Sequence, residues 1–149
     1  SFGPGNEIAL FKHNEVQTGT AICKDLDFTN YIKKYGANNV VFLTILAWDF
    51  VTDDWLHSRM AVLRGVENGF SELRTTRQVR LTISDYFGRV TYEASGFDGK
   101  MATLLGKVSL QKRNTIYTRF GNWFEITILI AALCLGLLTE KNKDKLDTT

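Results

Sequence analysis

The chain has 149 residues, 44% hydrophobic and 12% aromatic, enough apolar mass for one domain with a real core and too much for a disordered polymer. Its formal net charge of +2 is too small to point to nucleic acid, and outside the tail its lysines and arginines are scattered as on a solvated surface. Of its two cysteines, Cys23 and Cys134, the second lies in the most apolar segment, so no disulfide between them is expected.

Residues 7–12 and 17–22 read as two strands around the turn-like His13-Asn14-Glu15. A short helix follows to about Tyr35, with Asp27 or Thr29 as its cap and Gly36 as its end. Residues 40–47 are a continuous apolar run rich in β-branched side chains, the pattern of a central strand covered on both faces. Thr52-Asp53-Asp54 offers capping oxygens to a second helix, in which Leu56, Met60, Leu63, Val66 and Phe70 recur at helical spacing before Gly69 closes it. Shorter β segments are expected at 73–76, 79–84, 90–94 and 101–110, with a loop at 95–99. Strand, helix, strand, helix in that order predicts an α/β layered domain.

Near the C-terminus, residues 126–138 carry no charge. As a helix that run reaches only about 20 Å, short of a hydrocarbon core of about 30 Å. Extended from Phe120 through Thr139 it gains the length, with Trp123 and Phe124 placed as an aromatic belt. A transmembrane helix at 123–139 is expected, the alternative being a buried core helix. Lys141, Lys143 and Lys145 just beyond it favour a cytoplasmic tail at 140–149 and a domain on the opposite face.

Cys23 stands where the β-type run Thr18–Ile22 meets the polar turn Lys24–Phe28. A thiol at a strand-to-helix turn is presented at the strand's end, and the N–H groups that open the helix can stabilise both a thiolate and an oxyanion. That is what a cysteine nucleophile needs; the alternative is a small buried hydrophobe.

The segment Gly19-Thr20-Ala21-Ile22-Cys23-Lys24-Asp25-Leu26-Asp27-Phe28 resembles the nucleophile motif of the carbon–nitrogen hydrolase (nitrilase) superfamily. His57 to Asn68, ending Arg64-Gly65-Val66-Glu67-Asn68, is similar to its Arg-small-x-Glu-Asn helix, and Asp85-Tyr86-Phe87-Gly88-Arg89 to its Asp-x-x-Gly-Arg hairpin. Tyr117 to Phe124 followed by an apolar run resembles the end of one membrane branch, the apolipoprotein N-acyltransferases. The pattern departs from that branch at Thr44-Ile45-Leu46-Ala47-Trp48, where the branch has Thr-Asn-Asp-Ala-Trp, and after Arg74.

The resemblance implies a four-layer αββα sandwich, here its C-terminal part at 1–112, then a linker at 113–122, the transmembrane helix and the tail. It implies that a glutamate takes the thiol proton and a lysine stabilises the tetrahedral intermediate, both from segments well before the cysteine. Only 22 residues precede Cys23, so the chain is expected to need the rest of the same polypeptide and to be inactive alone. Cys23 is then the nucleophile and the Lys24 N–H an oxyanion donor. Asp25 falls where the acyltransferase branch has glutamate and either orients the site or caps the turn. Trp48 is expected to line the pocket, and His57 to be a pocket or support residue; it invites a Cys–His dyad, but the family does not use histidine as its base and a helix start is an ordinary place for a polar residue. Arg64 and Glu67, three apart on one helical face, can pair in support. No cofactor and no metal are implied. The implied partners are a phospholipid acyl donor and a lipoprotein acceptor, at the extracytoplasmic face of a bacterial inner membrane. An amidase acting on a small amide, or a binding domain without turnover, are the alternatives.

Overall fold

A computed structural model of the chain describes residues 7–48, 51–77, 80–96 and 102–147. Strands β1 (Ala9–His13) and β2 (Val16–Ile22) form a hairpin whose two turn residues, Asn14 and Glu15, both have positive φ, 45° and 66°. Such a turn matches the right-handed twist of the strands it joins. A 3-10 turn, Cys23–Asp27, leads into α1 (Thr29–Ala37), and β3 (Phe42–Ala47) returns parallel to β2. Another 3-10 turn, Val51–Asp53, opens α2 (Asp54–Asn68), and β4 (Ser71–Thr76) returns parallel to β3. Parallel neighbours require crossovers, and the two helices are those crossovers. Strands β5 (Arg80–Ser84) and β6 (Val90–Ser95) add antiparallel, giving one mixed six-stranded sheet in the order β1-β2-β3-β4-β5-β6.

The core lies between the sheet and the two helices: Ala21, Leu43 and Ile45 from the strands meet Leu26, Ile32, Tyr35 and Ala61. Alternation along the central strands sends Thr18, Thr20, Phe42, Thr44 and Leu46 to the other face, where burial is only partial and Leu46 is 48% exposed. The apolar run of β3 was expected to be covered on both faces, and in the described residues one face is. Helices and sheet make two layers of an α/β fold with a mixed sheet.

At Gly19 the Tyr35 ring lies against the backbone of β2, only 2.6 Å from where a Cβ would stand. The Tyr35 hydroxyl donates to Thr20 O at 2.6 Å, so the ring cannot retreat without losing that bond. Gly19→Val should therefore lower stability by about 1–3 kcal/mol through overpacking. Chemical denaturation that gives the wild-type midpoint for this variant would contradict the packing.

The Asp-x-x-Gly-Arg segment is the β5–β6 connection. Asp85 Oδ1 accepts from the N–H groups of Phe87 and Arg89, both at 3.0 Å, and Oδ2 from Arg89 Nε at 2.6 Å. Gly88 has φ +82°, and a Cβ there would meet Val66 of α2 at 2.5 Å, so glycine serves both the turn and the helix contact.

Several expected details are corrected. Neither Asp27 nor Thr29 caps α1: Phe28 occupies the cap with no side-chain bond, and Asp27 pairs with Lys24 instead. Asp53 makes no capping bond either, but Asp54, as expected, offers an oxygen to the helix start: Oδ1 accepts the Trp55 N–H at 2.6 Å while Oδ2 pairs with Arg80 at 3.2 Å. The strand expected at 101–110 is absent over 102–110, which form no ladder; Met101, Val79 and residues 97–99 of the expected loop lie outside the described residues.

The chain divides into two compact units, Ser1–Arg119 and Phe120–Thr149. The short helix α3 (Ile116–Phe120) falls within the expected linker. The second unit is α4 (Trp123–Asp147), a single helix of 25 residues that runs on through most of the expected tail. Apolar side chains project from it all round, with Ile126, Leu129, Leu133 and Leu137 each more than half exposed. Among the described residues no helix is long and apolar enough to cross a membrane, so the span expected at 123–139 does not stand out as one.

Candidate active site

Three elements converge on Cys23: the C-terminal ends of the parallel strands β2 and β3, and the start of α2. Crevices at the carboxyl ends of parallel strands are where open α/β sheets bind ligands. Cys23 itself has φ +35°, a left-handed conformation that L side chains adopt only at a cost. Its strain is held in place from both sides. Before it, the N–H of Ile22 donates to Asp25 Oδ2 at 2.8 Å; after it, Leu26 is 2% exposed beneath α2. Non-glycine residues kept in such conformations cluster at functional sites, because only an over-determined environment retains them.

The Cys23 thiol is free, half-buried, and 4.0 Å from the carbonyl oxygen of Trp48. It opens on a cavity of about 110 Å³ whose walls include Cys23, Lys24, Trp48, His57, Met60 and Arg74. Four of the residues singled out from the sequence, Cys23, Lys24, Trp48 and His57, thus share one cavity. Lys24 stands at its rim, its ammonium 2.9 Å from Asp27, and the hydrogen bond it donates to that carboxylate raises it above the ordinary lysine value. The Trp48 ring is 61% exposed and lies under the Arg77 guanidinium at 4.0 Å from the ring centroid. With Ile22 and Leu46, also exposed, it makes an apolar lip at the strand ends.

Three other expected residues stand outside the cavity. Asp25 turns its carboxylate back to the Ile22 N–H, which is the capping arrangement. Arg64 and Glu67 pair through Arg64 Nη1, and Arg64 Nε donates to the carbonyl of Leu26 at 2.9 Å. The pair is therefore fastened to the back of the turn that carries Cys23.

Arg74, only 2% exposed, went unremarked as a wall of this cavity. Two positions earlier on the same face of β4, Glu72 is wholly buried, and neither carboxyl oxygen has a hydrogen-bond partner among the described residues. Burial pushes its carboxyl up to about 8, against the opposing charge of Arg74. Alternate charges in a strand read as a solvated face, so the spacing of Glu72 and Arg74 gave no signal of this buried site.

A larger groove, about 560 Å³, runs between Asp85, Arg89, Lys107 and Gln111 and shares no lining residue with the cysteine cavity. It holds no nucleophilic thiol, so the smaller cavity is the better candidate. Among the described residues no three His, Cys, Asp or Glu side chains are grouped to hold a metal.

No family model matches the chain. It is 29% identical over 144 residues to apolipoprotein N-acyltransferase 1 of Treponema denticola, covering 91% of this chain and 26% of that protein. It is likewise 29% identical over 149 residues to the apolipoprotein N-acyltransferase of Borreliella burgdorferi, covering 93% of this chain and 28% of that protein. The chain thus spans about a quarter of the length of the curated relatives it matches. In fold it is similar to an amidase of Nesterenkonia sp. AN1, with a TM-score of 0.58 at 14% identity over 64% of this chain and 42% of that one. A variant of that amidase carries the acetamide moiety of fluoroacetamide covalently added at its active-site cysteine. The chain is thus similar in sequence to apolipoprotein N-acyltransferases over most of its own length, and similar in fold to an amidase built on a mixed sheet of this kind.

Proposed function

We propose that the chain is the nucleophile-bearing part of an N-acyltransferase that moves an acyl group from a phospholipid, through a thioester on Cys23, to the amino terminus of a lipoprotein. The observation that carries this reading is the strained Cys23 at the mouth of a cavity with an apolar lip. In the first half-reaction the Cys23 sulfur attacks the ester carbonyl carbon and its proton passes to a base. The tetrahedral oxyanion accepts the N–H of Lys24, then collapses, expelling the lysophospholipid alkoxide, which takes the proton back. In the second, the acceptor amine attacks the thioester, an amide forms, and the thiol leaves with a proton.

The base and the catalytic lysine come from the rest of the same polypeptide, whose second sheet completes the four layers over the half-open face. The 149-residue chain by itself is inactive on this reading. Asp25 holds the turn, Trp48 and His57 line the acceptor side, and Arg64 with Glu67 supports it from behind. The uncharged run at 126–138 of α4, followed by Lys141, Lys143 and Lys145, supports an anchor in a bacterial inner membrane, with the domain on the extracytoplasmic face.

The amidase alternative has one observation in its favour, the likeness in fold to an amidase that is acylated at its cysteine. The two readings part on the donor. Full-length polypeptide containing this chain should, after incubation with phospholipid, yield a peptide spanning Cys23 that is heavier by a fatty acyl group and is discharged by hydroxylamine. A cysteine that stays unmodified by phospholipid yet is acylated by acetamide or fluoroacetamide would replace the acyltransferase with the amidase.

A further inference from the structure

Residues 102–115 make no ladder, yet their end is fastened at several points. Lys112 Nζ donates to the carbonyl of Gly36 at 2.5 Å and to Asn39 Oδ1 at 2.8 Å, at the end of α1. The Arg113 N–H donates to the carbonyl of Gly69 at 2.8 Å, at the end of α2. The Thr115 hydroxyl donates to the carbonyl of Glu67, and the Thr118 hydroxyl reaches the same oxygen at 3.5 Å. Thr115 Oγ1 also accepts the Thr118 N–H at 3.0 Å, which fixes the start of α3. A strap thus closes over the C-terminal ends of both crossover helices, where carbonyl groups lack intrahelical partners.

The point it grips in α2 is not an arbitrary one. Glu67 is the residue whose carboxylate holds Arg64, and Arg64 Nε holds the carbonyl of Leu26 at 2.9 Å. Leu26 lies three residues after Cys23 in the same 3-10 turn. Both side chains of the pair are mostly buried, 12% exposed for Arg64 and 22% for Glu67, so the pair is little weakened by solvent.

We infer that Thr115 is a positioning residue for Cys23: the strap hydroxyl fixes Glu67, Glu67 fixes Arg64, and Arg64 holds the turn in which the cysteine keeps its left-handed backbone. The functional meaning of this rests on Cys23 being the nucleophile; the physical linkage does not. A conformation as unfavourable as φ +35° relaxes when its supports go, and Arg64 is the support that reaches the turn from α2. The strap is also the stretch that leads along the chain, through residues 116–122, into α4.

Amide hydrogen exchange on the 149-residue chain tests the linkage without any assay of catalysis. Thr115→Ala and Arg64→Gln should each speed exchange of the amides of residues 24–27 several-fold, while amides in the β2–β3 ladder keep their rates. Thr115→Ser, which retains the hydroxyl, should restore slow exchange. Because both residues act through one route, Thr115→Ala in the Arg64→Gln background should add nothing. Unchanged exchange at 24–27 in Thr115→Ala, or effects that multiply in the double variant, overturns the inference. Should Thr115→Ala not fold, Arg64→Lys decides: it keeps a charge for Glu67 but loses the planar fork, and slow exchange at 24–27 in that variant is equally fatal. Slow acyl transfer or none at all leaves this result untouched, and a linkage that fails says nothing against the thioester.

Discussion

Cys23→Ala is expected to abolish acyl transfer by the full-length polypeptide, with a loss on the order of 10⁴-fold or more, as removal of a covalent nucleophile produces elsewhere. The more informative companion is Cys23→Gly. Cys23 sits at φ +35°, where an L residue costs about 1–2 kcal/mol and glycine costs nothing. Glycine also loses more freedom on folding, by roughly 0.5–1 kcal/mol relative to alanine. The two terms oppose, and relief of strain is the larger. Cys23→Gly should therefore unfold at the same or higher denaturant concentration than Cys23→Ala, while both are inactive. That pairing is the signature of a position whose backbone is strained for function. A glycine variant clearly less stable than the alanine one would mean that the turn is not strained, and a Cys23→Ala variant with wild-type transfer would end the thioester reading.

What could be read from the residues, and what could not, divides along a physical line. The hairpin, the two crossovers and the central strand follow from periodicity and turn residues, because those patterns report on local backbone and one-sided burial. The Arg64–Glu67 pairing follows from helical spacing alone. The cap expected of Asp27 is lost because its carboxylate takes the Lys24 ammonium instead, whereas Asp54 serves two partners, Oδ1 accepting the Trp55 N–H at the start of α2 and Oδ2 pairing with Arg80. The segment 102–110 alternates like a strand, yet it forms no ladder among the described residues and lies instead against side chains of the sheet, a Cβ at Gly106 standing 2.6 Å from the Tyr92 ring and 2.8 Å from Ile83. The fastening of Arg64 to Leu26 joins residues 38 apart and has no sequence signature at all. Arg74 and Glu72 were hidden for the opposite reason. Charges at alternate positions of a strand read as a solvated face, whereas here that face lies under α2 with Ser58 and Thr82, all fully buried or nearly so.

That buried face gives the second large effect, in stability rather than in catalysis. Glu72 is wholly buried, its oxygens lack hydrogen-bond partners among the described residues, and burial holds its carboxyl at about 8 instead of near 4.5. The folded chain therefore keeps a proton that the unfolded chain gives up between those values. Stability is fully present below about pH 4.5, falls as pH rises toward 8 by up to about 1.4 kcal/mol per pH unit, and levels off above. Glu72→Gln removes the ionisation without changing the shape, so its stability should lack that slope. Near pH 4.5 the two chains should unfold at similar denaturant concentrations; near pH 8.5 the variant should be the more stable by on the order of several kcal/mol. Glu72→Leu should gain more still, since the leucine leaves no polar atom to satisfy. Denaturation midpoints that run parallel across pH 4.5 to 8.5 for wild type and Glu72→Gln would mean that the carboxylate is compensated in the fold and that Arg74 neutralises it. The distinction reaches the cavity, because Arg74 is one of its walls and the charge on Glu72 acts on its guanidinium from the same strand.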